Sequence, residues 1–196
     1  MILCDYKIKE AIAKRQLVIT PPPDPSQFDS TTLNLHVGDD FRRWRSVLGA
    51  PSLRAGIEID TVNLSELLDL TTPLDLVDGF IEIPPREFVL VRTLERVELP
   101  LKSRLAARVE GRSTLARLGL SVHMTAPTIH AGFGGKITLE MLNHGPFILR
   151  FLPNVSQVCQ LIIERVDGLP KREVQTAYQE QSTPLGTPRR RATRKK

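Results

Sequence analysis

Apolar residues along most of this chain recur at every second position. Leu33-Asn34-Leu35-His36-Val37-Gly38 alternates apolar and polar side chains and stops at a glycine, the pattern of a half-buried strand. Phe80-Ile81-Glu82-Ile83 reads the same way and runs into the turn Pro84-Pro85. Phe88-Val89-Leu90-Val91 and Val97-Glu98-Leu99 follow as two short strands, the second stopped by Pro100. Lys136–Leu142 and Val158–Ile163 supply two more. Helical spacing is confined to two places. Ile8, Ala11, Ile12 and Gln16 predict an amphipathic helix over Asp5–Leu17, with Asp5 placed to cap it, and Ser113–Leu118 has room for one turn or two. Thr20-Pro21-Pro22-Pro23-Asp24-Pro25 must run extended. Ser46–Asp78 is the least legible stretch, mixing a short helix around Leu64–Leu70 with turns. Gly132-Phe133-Gly134-Gly135 reads as a hairpin turn, and past Gly168 the periodicity is lost, which predicts a mobile tail. Short strands broken by Pro and Gly argue for a mainly β sandwich or barrel over a βαβ sheet. No internal repeat is visible.

Composition bounds the alternatives. With 196 residues, 41% of them hydrophobic, the chain can build one cored domain but hardly two. No apolar run reaches the roughly 20 residues of a membrane-spanning helix, and MILCDYKIKE lacks the apolar stretch of a secretory signal. Cys4 and Cys159 stand far apart without CxxC spacing, so neither a disulfide framework nor a zinc site is expected, and a reducing cytoplasm is the simplest location. The net charge of +5 comes from 27 basic and 22 acidic residues, and six of the basic ones lie in Arg189–Lys196. Removing six from 27 leaves 21 against 22, a body of net charge −1. The basic character therefore belongs to a solvated tail, and a nucleic-acid-binding domain is not expected.

Few residues carry candidate chemistry. In Ile137–Leu142 a period of two puts Thr138, Glu140 and Leu142 on one face, opposite Ile137, Leu139 and Met141. Glu140 is then either a solvent-facing carboxylate or a general base held in a pocket. Glu110-Gly111-Arg112-Ser113-Thr114-Leu115-Ala116-Arg117 places a glycine, an arginine and two hydroxyls at a helix start. Ser113 or Thr114 could cap that helix, or the stretch could hold an anion. His123, His130 and His144 form no metal-ligand pattern, and the zinc deaminase signature is absent.

Together these pieces form a recognisable set. Glu110–Ala126 (EGRSTLARLGLSVHMTA), then Ile129, Gly132 and Ile137-Thr-Leu-Glu140-Met-Leu-Asn143, closely resemble the dCTP deaminase family, the zinc-free branch of the trimeric dUTPase fold. Leu3-Cys4-Asp5, Ser30–Gly38 and Tyr178-Gln179-Glu180-Gln181 extend the resemblance over most of the chain, apart from about 46–78 and the basic tail. It implies a dUTPase-like distorted β-barrel or jelly-roll over residues 1–168, with a short N-terminal helix and one short internal helix. Residues 169–188 would form a C-terminal lid and 189–196 a disordered basic tail. The implied reaction is hydrolytic deamination of dCTP to dUTP and ammonia, supplying dUTP for thymidylate synthesis. Glu140 matches the catalytic glutamate, Ser113 and the Ala126 carbonyl match positions that hold water and the exocyclic amine, and Arg117 matches the supporting arginine. Arg112, Ser113 and Thr114 would lie near a triphosphate whose oxygens magnesium bridges. Ile129, His130, Tyr178 and Gln181 match further nucleotide-binding positions. The family forms sites between subunits of a homotrimer, and dTTP feedback inhibition is common in it.

The sequence also departs from the family pattern. Asn34 and His130 stand where aspartates are frequent, and Pro127 and Thr176-Ala177 differ as well. In related dUTPases those aspartates help bind metal, sugar or the attacking water, so losing both argues against dUTP pyrophosphatase activity. The alternatives are a dUTP or dCTP pyrophosphatase, a bifunctional deaminase-pyrophosphatase, a deaminase of a modified cytosine nucleotide, and a nucleotide-binding regulator without turnover.

Overall fold

Ile8 and Ala11 lie three residues apart on one helical face and are both buried in α1 (Asp5–Ala13). The N-cap is Cys4, so Asp5 does not cap the helix as expected but occupies its first turn, where a carboxylate suits the helix dipole. The helix also ends four residues earlier than the apolar spacing suggests. Arg15 turns left-handed (φ 54°) and delivers Leu17, fully buried, to strand β1 (Val18–Thr20).

The computed structural model describes residues 1–45, 56–172 and 179–187. After β1 come β2 (Leu33–His36), β3 (Arg42–Trp44), β4 (Thr71–Pro73), β5 (Ile81–Ile83), β6 (Phe88–Glu98) and β7 (Leu105–Gly111). Helix α2 (Ser113–Arg117) leads into β8 (Leu120–Ser121), β9 (Thr128–Ile129), β10 (Gly134–Asn143), β11 (Leu149–Phe151) and β12 (Gln157–Arg165). All described pairings are antiparallel. One sheet runs β4-β3-β6-β10-β8 with β1 also on β6; a second runs β2-β12-β7-β9; β5 and β11 form a small third. Alternate residues of the two large sheets, among them Leu35, Val91, Leu139, Met141, Val109 and Leu161, fill one core. No helix among the described residues is long and apolar enough to cross a membrane.

Several expectations are corrected here. Phe88–Val91 and Val97–Leu99 are not two strands: β6 is continuous over eleven residues. Its alternation persists through Thr93 and Glu95, which occupy inward positions that read as polar interruptions in the sequence. Gly132–Gly135 is a turn but not a hairpin, because Gly132 (φ 89°) carries the chain from β9 in one sheet to β10 in the other. The 64–70 helix is a 3-10 helix, Leu64–Leu70. Residues 179–187 are no mobile tail, since Gln181 is 6% and Leu185 4% exposed. The remainder of the expected tail splits: 169–172 is described, whereas 173–178 and 188–196, with the basic run 189–196, lie outside the described residues.

The joint between β6 and β10 is irregular. Lys136 faces Arg96 and Thr138 faces Arg92, so Thr93, Leu94 and Glu95 together oppose Ile137. The Ile137 N–H, displaced from the ladder, donates to Thr93 Oγ1 at 3.0 Å, and that hydroxyl donates to the Glu95 carbonyl at 2.7 Å. The Glu95 side chain, 1% exposed, accepts from Gln27 Nε2 (2.9 Å) and from the His36 N–H (2.9 Å), and its Oε1 lies 2.6 Å from His36 Nδ1. Gln27 Nε2 also donates to the Asn34 carbonyl at 2.8 Å. A buried carboxylate is tolerated when its lone pairs are filled in this way. Where β2 leaves the cluster, Gly38 donates to the Arg92 carbonyl at 2.8 Å, and a Cβ there would come within 2.7 Å of that oxygen. Glu95→Ala leaves Gln27 and His36 without their partner and is expected to destabilise the fold by about 3 kcal/mol, lowering the thermal midpoint by roughly 6–12 °C in a circular dichroism melt.

Candidate active site

Strand β10 crosses from the bulge toward β8, and its alternation turns Thr138 and Glu140 toward a cavity of about 500 Å³. Across the ladder Glu140 faces Leu90 and Leu142 faces Phe88, so β6 supplies an apolar wall beside the carboxylate. Trp44 at the end of β3 and Leu64 extend that wall. The opposite side comes from the chain between β8 and β10, which contributes His123, Ala126, Thr128, Ile129 and His130. Gln181, Pro184 and Leu185 of the C-terminal segment close a third side.

Glu140 is half-buried in this setting. Burial beside apolar groups pushes its carboxyl above the ordinary 4.5, while hydrogen bonding from its own backbone and that of Met124, with His123 nearby, pulls the other way. The net direction is upward, so the group is a stronger base than a carboxylate in water. His123 has Nε2 3.9 Å from Glu110 Oε2, and its buried Nδ1 has no hydrogen-bond partner among the described residues. Gln181 Nε2 donates to the Lys136 carbonyl at 2.8 Å, and Thr138 Oγ1 donates to the Pro184 carbonyl at 3.1 Å, which fixes the C-terminal segment along β10. Among the described residues no three His, Cys, Asp or Glu side chains are grouped to hold a metal ion.

The structure gathers some of the sequence candidates and separates others. Glu140, Ala126, Ile129, His130 and Gln181 line one cavity. Arg112, Ser113, Thr114 and Arg117 do not; Ser113, Thr114 and Arg117 are exposed on α2. The N-cap of α2 is Arg112 and no side chain caps the helix, so the capping alternative for Ser113 or Thr114 is set aside. The Arg112 guanidinium donates to the Gln157 carbonyl at 3.1 Å. Tyr178 lies outside the described residues. Asn34, 2% exposed, is not at the cavity but donates to Asp29 Oδ2 at 2.9 Å. Sequence reasoning gave no cavity role to His123, Trp44, Phe88 or Leu90. Only His123 left a signal, a polar residue following Val122 between a strand and a turn. The other three are ordinary apolar positions until the β3·β6·β10 register is known.

Comparison with known proteins agrees with this architecture. Residues 2–166 match the family model described as dCTP deaminase-like. A dUMP-forming dCTP deaminase of Methanobrevibacter smithii is 35% identical over 190 residues, covering 93% of this chain and 92% of that protein. A dCTP deaminase of Pasteurella multocida is 33% identical over 161 residues, 79% of each chain. The crystal structure of 2′-deoxycytidine 5′-triphosphate deaminase from Agrobacterium tumefaciens superposes with a TM-score of 0.62 at 21% identity, over 85% of this chain. This chain spans 48% of that one's length, and the likeness is one of fold, mainly β as expected. Both the block from Glu110 to Ala126 and the strand carrying Glu140 fall within the matched residues, and the chain belongs to the dCTP deaminase-like family.

Proposed function

We propose that this protein deaminates dCTP to dUTP and ammonia, with Glu140 as the group that moves the protons. The observation that carries this reading is a half-buried carboxylate, made more basic by burial, on the wall of a cavity large enough for a nucleotide base, in a chain of this family. Glu140 accepts a proton from water as the oxygen attacks C4 of cytosine, and it returns that proton to N3 of the ring. It then takes the proton of the new hydroxyl and delivers it to the exocyclic amine. The C4–N bond breaks, ammonia leaves, and the carbonyl of uracil remains. The Ala126 carbonyl accepts from the amine and orients it, while Ser113 steadies the water and Arg117 supports the charge.

That role for Ser113 and Arg117 requires a second subunit, because on their own chain both are exposed on α2 and neither lines the cavity. A homotrimer in which α2 of one protomer completes the cavity of the next unites the two halves, and Arg112, Ser113 and Thr114 then receive the triphosphate. Magnesium would arrive with the substrate and offset the charge of its triphosphate beside Arg112, Ser113 and Thr114. The C-terminal segment, including Tyr178, Gln181 and Leu185, serves as the lid within 169–188. dTTP is expected to compete for the same pyrimidine triphosphate site. The two cysteines are free thiols, as suits a reducing cytoplasm.

A second reading, release of dUMP, is favoured by the similarity to the dUMP-forming dCTP deaminase of Methanobrevibacter smithii. Against it, His130 at the cavity and Asn34 buried against Asp29 offer no carboxylate to activate water at the phosphates. Chromatography of products from magnesium dCTP decides between the readings: dUTP supports the first, dUMP with pyrophosphate the second, and no product from dCTP rejects both.

Three further outcomes are expected. Glu140→Gln should lower kcat by at least about 10²-fold with nucleotide binding retained in calorimetry. Because the base acts ionised and its pKa is raised, kcat/KM should fall on the acid side with a midpoint above pH 4.5. A 1:1 mixture of Glu140→Gln and Ser113→Ala subunits, each inactive alone, should regain about a quarter of wild-type activity after subunit exchange, since one site in four draws both intact halves. Sites built within one chain would give none.

A further inference from the structure

The C-terminal segment is held by two arginines of one strand. Arg92 and Arg96 lie on either side of the β6 bulge, opposite Thr138 and Lys136 of β10. Arg92 Nη1 donates to the Gln181 carbonyl at 3.0 Å, and its Nη2 is 3.6 Å from Asp40 Oδ2. The Arg96 guanidinium makes a forked contact with Glu180, Nε to Oε2 at 3.1 Å and Nη2 to Oε1, while Nη1 donates to Glu98 Oε2 at 2.7 Å. The Glu180 N–H donates to the Gly134 carbonyl at 2.8 Å. Gln179 brackets the same turn, accepting from the Gly134 N–H at 3.2 Å and donating to the Gly132 carbonyl at 2.9 Å. A second cavity of about 240 Å³ lies beside this joint, so the ion pair stays open to solvent.

The docked conformation is not one the segment would adopt by itself. Glu180 sits in the left-handed region (φ 49°), unfavourable for a residue with a Cβ, and Gln181 Oε1 is buried without a partner among the described residues. Both features oppose docking. They persist because contacts on either side over-determine them, and the guanidinium forks are the charged part of those contacts. Held this way, Gln181 and Leu185 become a wall of the Glu140 cavity.

We infer that Arg96 with Glu180, and Arg92 with the Gln181 carbonyl, are positioning residues that set the C-terminal wall of the nucleotide site and thereby the KM for dCTP. None of these groups touches the reacting atoms; each acts through Gln181 and Leu185. The inference rests on the reading of the Glu140 cavity as the nucleotide site. The geometry also makes a single ion pair, half open to water, responsible for a modest share of the docking.

The test compares Arg96→Glu, Glu180→Arg and the charge-swapped double variant. Hydrogen exchange of the 179–187 peptide is measured without nucleotide, and kcat and KM are measured with magnesium dCTP. Each single variant is expected to speed exchange in 179–187 and raise KM about three- to tenfold, with kcat changing less than about twofold, and the swap to recover part of both, because Glu98 stays beside position 96. Unchanged exchange in the single variants overturns the inference, as does faster exchange that the swap fails to recover. A lowered thermal midpoint with unchanged KM assigns the pair a purely structural role and overturns it too. If the wild-type protein does not turn over dCTP, the site reading fails, and the inference about KM falls with it. Exchange then reports separately whether the arginines hold the segment.

Discussion

The side chain of Thr93 takes a backbone donor that the bulge in β6 removes from the ladder, and much of the molecule follows from that substitution. Three residues of β6 against one of β10 leave the Ile137 N–H without a strand partner. An unpaired buried donor costs about 1–3 kcal/mol, so the irregular register persists only because the Thr93 hydroxyl accepts it. Glu95 stabilises the same bend from within, drawing in Gln27 and His36 from the other side of the core. The bulge sets where Arg92 and Arg96 emerge, and on β10 it lies three residues before Glu140. Fold, cavity and C-terminal docking therefore share one joint.

Two opposed requirements meet at Glu140. A general base for water must be more basic than an exposed carboxylate, which calls for burial, yet it must still ionise, which calls for donors. Phe88 and Leu90 supply the first condition, and the Met124 backbone with His123 supplies the second. Each pKa unit corresponds to about 1.36 kcal/mol between the two protonation states. Small changes in this wall therefore trade basicity against availability. Half the expected machinery lies elsewhere on the chain, exposed on α2, and the cavity taken by itself has few polar groups to orient a substrate.

Docking of the C-terminal segment sets many contacts against two unfavourable features. A left-handed Glu180, and a Gln181 oxygen without a partner among the described residues, each cost on the order of 1–3 kcal/mol. The hydrogen bonds that hold the segment contribute about 0.5–1.5 kcal/mol apiece. No single contact offsets both costs, so the docked position depends on the sum of several contacts spread from Gln179 to Leu185.

Alternation along β10 and β12 was legible in the sequence because Ile137, Leu139 and Met141, and Leu161 and Ile163, are buried while Lys136, Thr138, Glu140, Gln160 and Glu164 between them are less so. In β2 Asn34 is buried along with Leu33 and Leu35, so that strand is covered on both faces and not half-buried as its pattern suggests. The alternation in β10 placed Glu140 opposite Leu139 and Met141, and the block from Glu110 to Ala126 pointed to the family by its residues alone. β6 read as two strands because its inward positions 93 and 95 carry polar side chains, made acceptable only by partners 59 or more positions away in the chain for Glu95. Strands of two or three residues, such as β8 and β9, are too short to show a period. The separation of Arg112, Ser113, Thr114 and Arg117 from the cavity was hidden for a different reason. Neighbours in sequence say which residues share a helix, but which wall that helix faces is decided by packing between strands distant in the chain. The sequence alone thus determined the local periodicities and the chemical identity of the candidate groups. Tertiary structure decided which of them meet, because meeting depends on register, and register is settled by long-range pairing that no local pattern contains.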